Sequence, residues 1–203
     1  MKKYAVLHEP GDIVTLAGTR FVVLDVERRG SLPDSLFLLA LESVGASEFG
    51  SSNNYAESDL KKAVDKWLED MGKRGLDNAK LIPREIDLTT LDGSGCYGKL
   101  SVKAAPLTLD EAREYADIIP NAERWCWLAT GWSGPSKSDG DLALYVNSNG
   151  DWYNLYCSNS CGFRPALKIP SDLLLDSADK PDLSEVPTDT LLEEIRRRVV
   201  DKA

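Results

Sequence analysis

Residues 145–169 read YVNSNGDWYNLYCSNSCGFRPALKI, where small polar residues and aromatics give way abruptly to an apolar run. The Asn149-Gly150 pair favours the positive backbone angles of a tight hairpin turn. Apolar and polar residues alternate in the preceding segment, 142–147, which predicts a strand with one apolar face. The whole stretch is therefore predicted to be a β-hairpin followed by a buried strand.

The returning strand of this hairpin carries aromatic residues on both sides. Trp152, Asn154 and Tyr156 fall on one side, and Tyr153 and Leu155 on the other. Tyr, Trp, Asn and Ser supply rigid contact area and adaptable hydrogen bonds at small entropic cost, a composition typical of binding loops. We expect a binding surface here, with at least one of Trp152 and Tyr153 completing the core instead.

The apolar strand after the hairpin contains one charged residue near its start. Arg164 lies between Phe163 and Pro165. A buried guanidinium must be paired or hydrogen-bonded, because an unpaired charge in the interior is strongly destabilising. We therefore predict that Arg164 is a structural clasp, bound to a carboxylate or to backbone carbonyls.

Upstream of the hairpin, the periodicity predicts several short strands and two helices. Residues 12–27 read as a strand, a turn at Gly18 and a second strand that should be buried, and residues 35–44 read as a third strand or a short buried segment. The first helix has Ser58 as its N-cap and one apolar face, formed by Leu60, Val64, Trp67 and Met71. Short strands with no regular βαβ alternation predict an α+β domain.

The second helix is predicted from a capping box at Thr108 and Glu111, and Pro120 ends the segment. The domain is expected to span residues 1–172. An acidic, proline-containing linker, 173–187, follows, starting by packing back onto the domain, and residues 188–203 form a short C-terminal helix. The sequence leaves two roles open for this helix: it docks on its own domain, or it pairs with a second subunit in a homo-oligomer.

Charge and composition exclude several classes of partner. The chain has 203 residues and a net charge of -9, which repels phosphate backbones and anionic lipid, so neither nucleic acid nor membrane is an expected partner. No window approaches the roughly 20 apolar residues of a membrane helix. The amino terminus does not read as a signal peptide, and the four cysteines fit free thiols in a reducing compartment. We expect a cytoplasmic protein.

No motif indicates catalysis, a metal or a cofactor. The only histidine, His8, has no cluster of polar groups around it in the sequence and is expected at the surface or at a sheet edge. There is no nucleophile elbow or P-loop, and GSGCYG at 93–98 only approximates a dinucleotide-binding loop. Cys157 and Cys161 offer two zinc ligands without a second pair, so they are expected to be small hydrophobic residues or an occasional disulfide.

Several motifs in order resemble a family of domains found in phages and prophages of gut Firmicutes, DUF6273. They are WCWLATGW (125–132), YVNSNGDWY (145–153) and CGFRPALKI (161–169), preceded by NNYAESDLKKAVDKWLED (53–70), DLTTLDGSGCYG (87–98) and LTLDEAREYADIIPN (107–121). The resemblance covers about residues 10–172. It implies a C-type-lectin-like fold with two helices and short antiparallel sheets, as in formylglycine-generating enzymes and in the variable proteins of diversity-generating retroelements.

In those variable proteins the last hairpin displays changeable residues ahead of a fixed strand. The matching positions here run from 132 to 160, and the fixed frame is Gly162, Phe163, Arg164 and Pro165. The resemblance thus implies a non-enzymatic domain that binds a protein ligand, with a protein of the bacterial host as one candidate, in the host cytoplasm or on the virion. The implied ligand-binding residues are Trp132, Tyr145, Asn147, Asn149, Trp152, Asn154 and Tyr156.

Two other functions are weighed against this one. The first is an oxidoreductase like the formylglycine-generating enzymes, acting through Cys157 and Cys161. Cys161 directly precedes Gly162, however, whereas the cysteine pair of that family lies well upstream, and its R-G-G-S-W motif is missing here. The second is an acidic inhibitor of a host defence protein, which the charge favours without any supporting motif.

Overall fold

A computed structural model describes residues 2–4, 8–29 and 32–177. Within these ranges the helices are α1 (Asp59–Lys73) and α2 (Leu109–Glu114), with a 3-10 turn at Tyr55–Glu57. The strands are β1 (Lys2–Tyr4), β2 (Ile13–Leu16), β3 (Thr19–Arg29), β4 (Leu32–Ala40), β5 (Ala46–Glu48), β6 (Arg84–Asp87), β7 (Lys99–Val102), β8 (Ala104–Ala105), β9 (Cys126–Gly131), β10 (Leu142–Val146), β11 (Trp152–Tyr156), β12 (Ser160–Phe163), β13 (Ala166–Pro170) and β14 (Leu174–Ser177). The fold is α+β, as the sequence predicts. Most of the expected linker and the whole of the expected helix 188–203 lie outside the described residues.

The largest sheet has seven antiparallel strands in the order β1-β14-β2-β3-β4-β13-β8. Its strand β3 carries the apolar run 21–24, all of which is buried, as expected. Alternate residues of a strand point to opposite faces, so Phe21 and Val23 join one core cluster and Val22 and Leu24 the other. Helix α1 covers the first face and α2 the second, which explains why the run contains no polar residue.

Both helices begin where the sequence predicts. The Ser58 hydroxyl accepts the N–H of Lys61, and the predicted apolar face of α1 is buried. The capping box of α2 is formed by Thr108 and Glu111. However, α2 ends at Glu114, and the chain continues over 115–118 in turns that include hydrogen bonds from Ala116 to Arg113 and from Ile118 to Tyr115. No helix in the described ranges is long and apolar enough to cross a membrane.

The second sheet has five strands in the order β11-β10-β9-β12-β5, in which only β9 and β12 run parallel. The expectation that β10 has one apolar face is wrong. Ala143, Leu144 and Tyr145 are all buried, because Ala143 and Tyr145 pack into the larger core cluster while Leu144 packs into the smaller one on the opposite face. A third, two-stranded sheet is formed by β6 and β7.

Candidate binding surface

The hairpin that joins β10 to β11 is shaped by the side chain of Asn147. Its Oδ1 accepts the backbone N–H groups of Asn149 and Asp151 at 2.8 and 3.0 Å. Gly150 has φ +89°, a left-handed conformation that disfavours any residue with a Cβ. Among the turn residues only this glycine has positive φ, so the turn is a longer one closed by glycine and not the two-residue turn that Asn-Gly alone would suggest.

Cross-strand pairing divides the hairpin residues between two faces. Trp152 pairs with Val146, Asn154 with Leu144 and Tyr156 with Leu142, whereas Tyr153 pairs with Tyr145. Directly paired residues share a face of the sheet. Trp152, Asn154 and Tyr156 therefore share one face, as predicted, and Tyr145 and Tyr153 lie on the other.

Tyr145 is not part of an exposed patch. Its side chain is only 7% exposed. The ring stacks on Trp125 with centroids 5.1 Å apart, lies 6.1 Å from the Tyr153 ring and meets Trp127 edge-on at 6.3 Å. The expectation that the seven implied ligand-binding residues form one exposed surface is wrong, because Tyr145 is enclosed by the rings of Trp125, Trp127 and Tyr153.

The other predicted ligand-binding residues differ in how exposed they are. Asn149 is exposed at the tip of the turn, and Asn154 is half-buried in the middle of β11. The amide of Asn147 is engaged in the turn. Trp132 is half-buried and packs against the smaller core cluster. Of these four residues, only Asn149 and Asn154 have polar side chains that are open to a partner. They add to the exposed rings of Trp152 and Tyr156.

Exposed aromatic rings are concentrated at this hairpin. Among the described residues, the large apolar side chains that are exposed are Trp125 (49%), Trp152 (39%), Tyr153 (51%), Tyr156 (58%) and Leu91 (38%). The first four are here called the aromatic patch; Trp152 and Tyr156 lie on one face of the edge strand β11, and Tyr153 and Trp125 lie on the other. Trp125 and Tyr153 are not among the residues predicted to bind ligand, and the expectation that at least one of Trp152 and Tyr153 completes the core is wrong, because both are exposed. The position of Trp125 and Tyr153 on either side of Tyr145 could have been found only from the pairing of β9, β10 and β11.

A cavity of about 90 Å³ adjoins the patch, between the α2 segment and the hairpin. Trp152 is one of the residues that line this cavity, and the guanidinium of Arg113 lies 5.6 Å from the centroid of its ring. Arg164 and Asn147 contribute polar atoms to a lining that is otherwise mainly apolar, including Ala112, Ala116, Ile119, Leu128, Val146 and Trp152.

The four residues of the predicted frame are all buried and hold β12 against the loop after β4. A Cβ on Gly162 would lie 2.5 Å from the Ser43 hydroxyl oxygen and 3.0 Å from the Trp125 carbonyl oxygen, so only glycine fits without a shift. Phe163 packs against Gly45, and the Pro165 carbonyl accepts the N–H of Ala40. This frame fixes the backbone of Trp125, and with it one side of the aromatic patch.

Burial makes the two cysteines of the oxidoreductase alternative weak nucleophiles. Cys157 and Cys161 are 2% and 5% exposed, and both are free thiols. Burial raises the pKa of Cys157 to about 12 and that of Cys161 to about 11. The reactive form of a cysteine is the thiolate, so both side chains are predominantly unreactive thiols at neutral pH.

His8 is buried, so the expectation of a surface position is wrong. It is 1% exposed, and its Nδ1 lies 3.1 Å from Oδ2 of Asp12. The nearby carboxylate supplies the polar partner that allows the ring to be buried. Within the described residues, no group of three or more His, Cys, Asp and Glu side chains could hold a metal ion.

Two buried polar contacts were also missed, because each joins residues far apart in the sequence. Arg84 forms an ion pair with Glu111 and donates to the carbonyls of Ala105 and Pro106, which secures the start of α2. Asn53 accepts the Tyr97 hydroxyl at 2.6 Å and donates to the carbonyls of Ser133 and Leu142. That second network fixes the loop between β9 and β10.

Comparison of the chain with models of known protein families, with curated proteins and with solved structures gives no match.

Proposed function

We propose that this chain is a phage-derived, non-enzymatic binding domain of the C-type-lectin-like kind, which recognises a protein partner through the aromatic patch. The observation that carries the proposal is the concentration of exposed rings, since three of them lie on β11 and Trp125 stacks on the buried Tyr145 beside it. Exposed large apolar side chains gathered around one edge strand mark an interaction site, and Trp and Tyr are enriched where binding energy is concentrated.

The cavity next to Trp152 supports a protein partner. Protein interfaces draw most of their energy from a few side chains that insert into well-packed pockets. The mainly apolar lining around Val146 and Ile119 suits an aliphatic or aromatic side chain of the partner. The Trp152 ring in its lining would help to exclude water from such a contact.

The phage origin and the C-type-lectin-like fold rest on the resemblance of the motifs at 125–132, 145–153 and 161–169. The resemblance leaves two places open in which the protein acts: the virion and the cytoplasm of the bacterial host. In either place a host protein is the natural candidate for the partner.

The buried thiols argue against the oxidoreductase. A cysteine-based oxidation needs a thiolate that substrate can reach, and both Cys157 and Cys161 lie in the core with raised pKa values. The acidic-inhibitor alternative shares the protein partner of the present proposal and adds that this partner is basic, in keeping with the net charge of -9.

Affinity capture from a lysate of gut Firmicutes tests the proposal. The immobilised wild-type chain is compared with a triple variant, Trp152→Ala, Tyr153→Ala and Tyr156→Ala. Leu91→Ala is the matched control, because Leu91 is an exposed large apolar residue outside the patch. The proposal expects a protein that is captured by the wild type and by the control but not by the folded triple variant. Equal capture by all three would contradict it.

A further inference from the structure

Strand β11 is an edge of the five-stranded sheet, and its outer side has unused backbone groups. The N–H of Asn147 donates to Asp151 and that of Cys157 to Asp141, so residues 151 and 157 belong to hydrogen-bonded pairs. Because such pairs alternate along an antiparallel ladder, residues 153 and 155 also bond to β10. The backbone groups of Trp152, Asn154 and Tyr156 therefore point outward.

These outward groups lack partners in the part of the chain that the structure describes, with one exception. The Tyr156 carbonyl accepts the N–H of Asn159 across the following turn. The N–H groups of Trp152, Asn154 and Tyr156, and the carbonyls of Trp152 and Asn154, are left to bond to solvent or to another strand.

The edge at β11 lacks the features that usually keep strand edges from pairing. Proteins protect edges with short strands, charged residues or proline. The edge strands β1, β5 and β8 have three, three and two residues, whereas β11 has five. Its sequence WYNLY has no charge and no proline, whereas both edges of the two-stranded sheet, β6 and β7, are charged.

Carboxylates flank this edge. Asp151 immediately precedes β11, and Asp141 is paired with Cys157 at its other end. Both aspartates are exposed, and neither forms an ion pair with a described residue. The six steps from 151 to 157 span roughly 20 Å of extended chain. An incoming strand would thus meet an uncharged centre and a carboxylate near each end, while the Arg113 guanidinium on the Trp152 ring is already paired with Asp110.

We propose that the partner adds an extended segment to β11 as a further strand, and that this segment carries basic residues at its ends. The inference rests on the proposed function and specifies how the partner is bound. Backbone hydrogen bonds to Trp152, Asn154 and Tyr156 would supply affinity, and the flanking rings would select side chains, as in other complexes formed by strand addition.

A basic segment fits this edge better than a second copy of the chain. Antiparallel self-pairing centred on Asn154 would bring Asp151 of each copy to the end of β11 that has Asp141 beside it. It would also bring together two chains of charge -9. Like charges facing each other oppose association, whereas a strand with terminal lysines would gain attraction at the same places.

Two synthetic peptides provide the probe. One is a capped heptapeptide of alternating Val and Thr with a lysine at each end, and the other has glutamates in place of the lysines. The lysine peptide is expected to shift the backbone amide NMR signals of Trp152, Asn154 and Tyr156 and to slow their hydrogen exchange. The glutamate peptide is expected to bind at least about tenfold more weakly, a difference of about 1.4 kcal/mol.

Asn154→Pro and Asn154→Ala separate backbone pairing from side-chain contact. Proline removes an N–H that points outward, so the hydrogen bonds to β10 are kept, and proline is tolerated on edge strands. Proline is expected to weaken lysine-peptide binding at least about tenfold relative to alanine, which removes the same side chain but keeps the outward N–H. If Asn154→Pro does not fold, the same test is made on the wild-type chain with a lysine peptide whose backbone nitrogens facing β11 are methylated.

Several results would overturn the inference: no peptide binding, equal binding of the two peptides, or binding indifferent to both proline and N-methylation. Self-association of the chain that Asn154→Pro abolishes would overturn it as well, in favour of the second copy. If capture of the partner requires the aromatic patch and folded Asn154→Pro still captures that partner, strand addition is refuted and the proposed function stands. Capture indifferent to the triple alanine variant would instead refute the proposed function.

Discussion

The Nε atom of Arg164 lies 2.7 Å from the carbonyl oxygen of Ala40, a residue 124 positions away in the chain. Its Nη1 donates to the carbonyl of Pro120 at 2.9 Å. The guanidinium therefore joins the end of β4, the segment after α2 and the junction of β12 with β13. This confirms the predicted clasp to backbone carbonyls.

Arg164→Ala is expected to lower the free energy of unfolding by about 3 kcal/mol, because two backbone carbonyls in and around the core lose a charged donor. Arg164→Lys should lose less, since it keeps the charge but cannot supply two donors in a fixed geometry. Urea unfolding of the three proteins measures both effects. An unchanged midpoint for Arg164→Ala would contradict the clasp.

The four thiols should differ sharply in reactivity. Cys96 is exposed, whereas Cys126, Cys157 and Cys161 are buried. Iodoacetamide at pH 8, followed by mass spectrometry, should label Cys96 first and the other three only after denaturation, and Cys96→Ser should remove the fast phase. Rapid native labelling of Cys157 or Cys161 would restore the oxidoreductase alternative. Cys157→Ser and Cys161→Ser should each leave partner binding within a few fold of wild type.

Stability should fall at alkaline pH. Burial raises the pKa of Cys126 and Cys161 to about 11 and that of Cys157 to about 12, whereas an unfolded cysteine titrates near about 8.5. Between these values the unfolded chain loses protons that the folded chain retains, so rising pH favours unfolding. This contribution to stability is complete below about pH 8.5 and is lost as the pH rises through the folded values.

Cys157→Ala should flatten this fall between pH 9 and 11, as measured by urea unfolding at each pH. The same variant should parallel the wild type between pH 6 and 8, where the thiol is protonated in both states, and this range is the internal control. A slope above pH 9 that is identical in the two proteins would mean that Cys157 ionises equally in the folded and unfolded chains.

Gly150→Ala should destabilise the hairpin turn for two reasons. The residue has φ +89°, and an added Cβ would lie 2.8 Å from Oδ1 of Asn121. Gly93→Ala is the matched control, because Gly93 has φ +85° but no atom within 4 Å of the added Cβ. We expect a loss of about 1 kcal/mol for the control and more for Gly150→Ala. Equal losses would show that Asn121 moves aside freely.

The local features of the fold were predictable because their signals lie within one turn or one strand. The apolar face of α1, the N-cap at Ser58 and the capping box at Thr108 each depend on residues three or four positions apart. Arg164 was also predictable as a clasp, since a charge in an apolar strand needs a partner. Its actual partners, however, are set by the tertiary fold.

The faces of β10 were not predictable from its own residues. Alternation identified Leu144 correctly as apolar and inward, but both faces of β10 are covered, one by the larger core cluster and the other by the smaller one. Tyr145 is amphipathic and suits either a surface or a core. Only the packing of Trp125, Trp127 and Tyr153 around it decides between them.

Tyr145 and Tyr156 therefore provide a decisive comparison, because both were selected from the sequence as ligand-binding residues. Tyr145 is 7% exposed and Tyr156 58%. Tyr145→Ala should lose about 3 kcal/mol or more, as Trp67→Ala and Trp127→Ala should, since each deletes a large buried ring. Any loss of partner binding in these variants should then follow from unfolding.

Trp152→Ala, Tyr153→Ala and Tyr156→Ala should each change the free energy of unfolding by less than about 0.5 kcal/mol, because exposed positions contribute little to stability. Combined, they should nevertheless abolish partner binding. A melting curve and a binding assay on one set of variants measure both quantities. If the β11 variants melt as early as Tyr145→Ala, their rings are packing residues, and partner binding must then depend on another surface, with the 131–140 loop between β9 and β10 the first to examine.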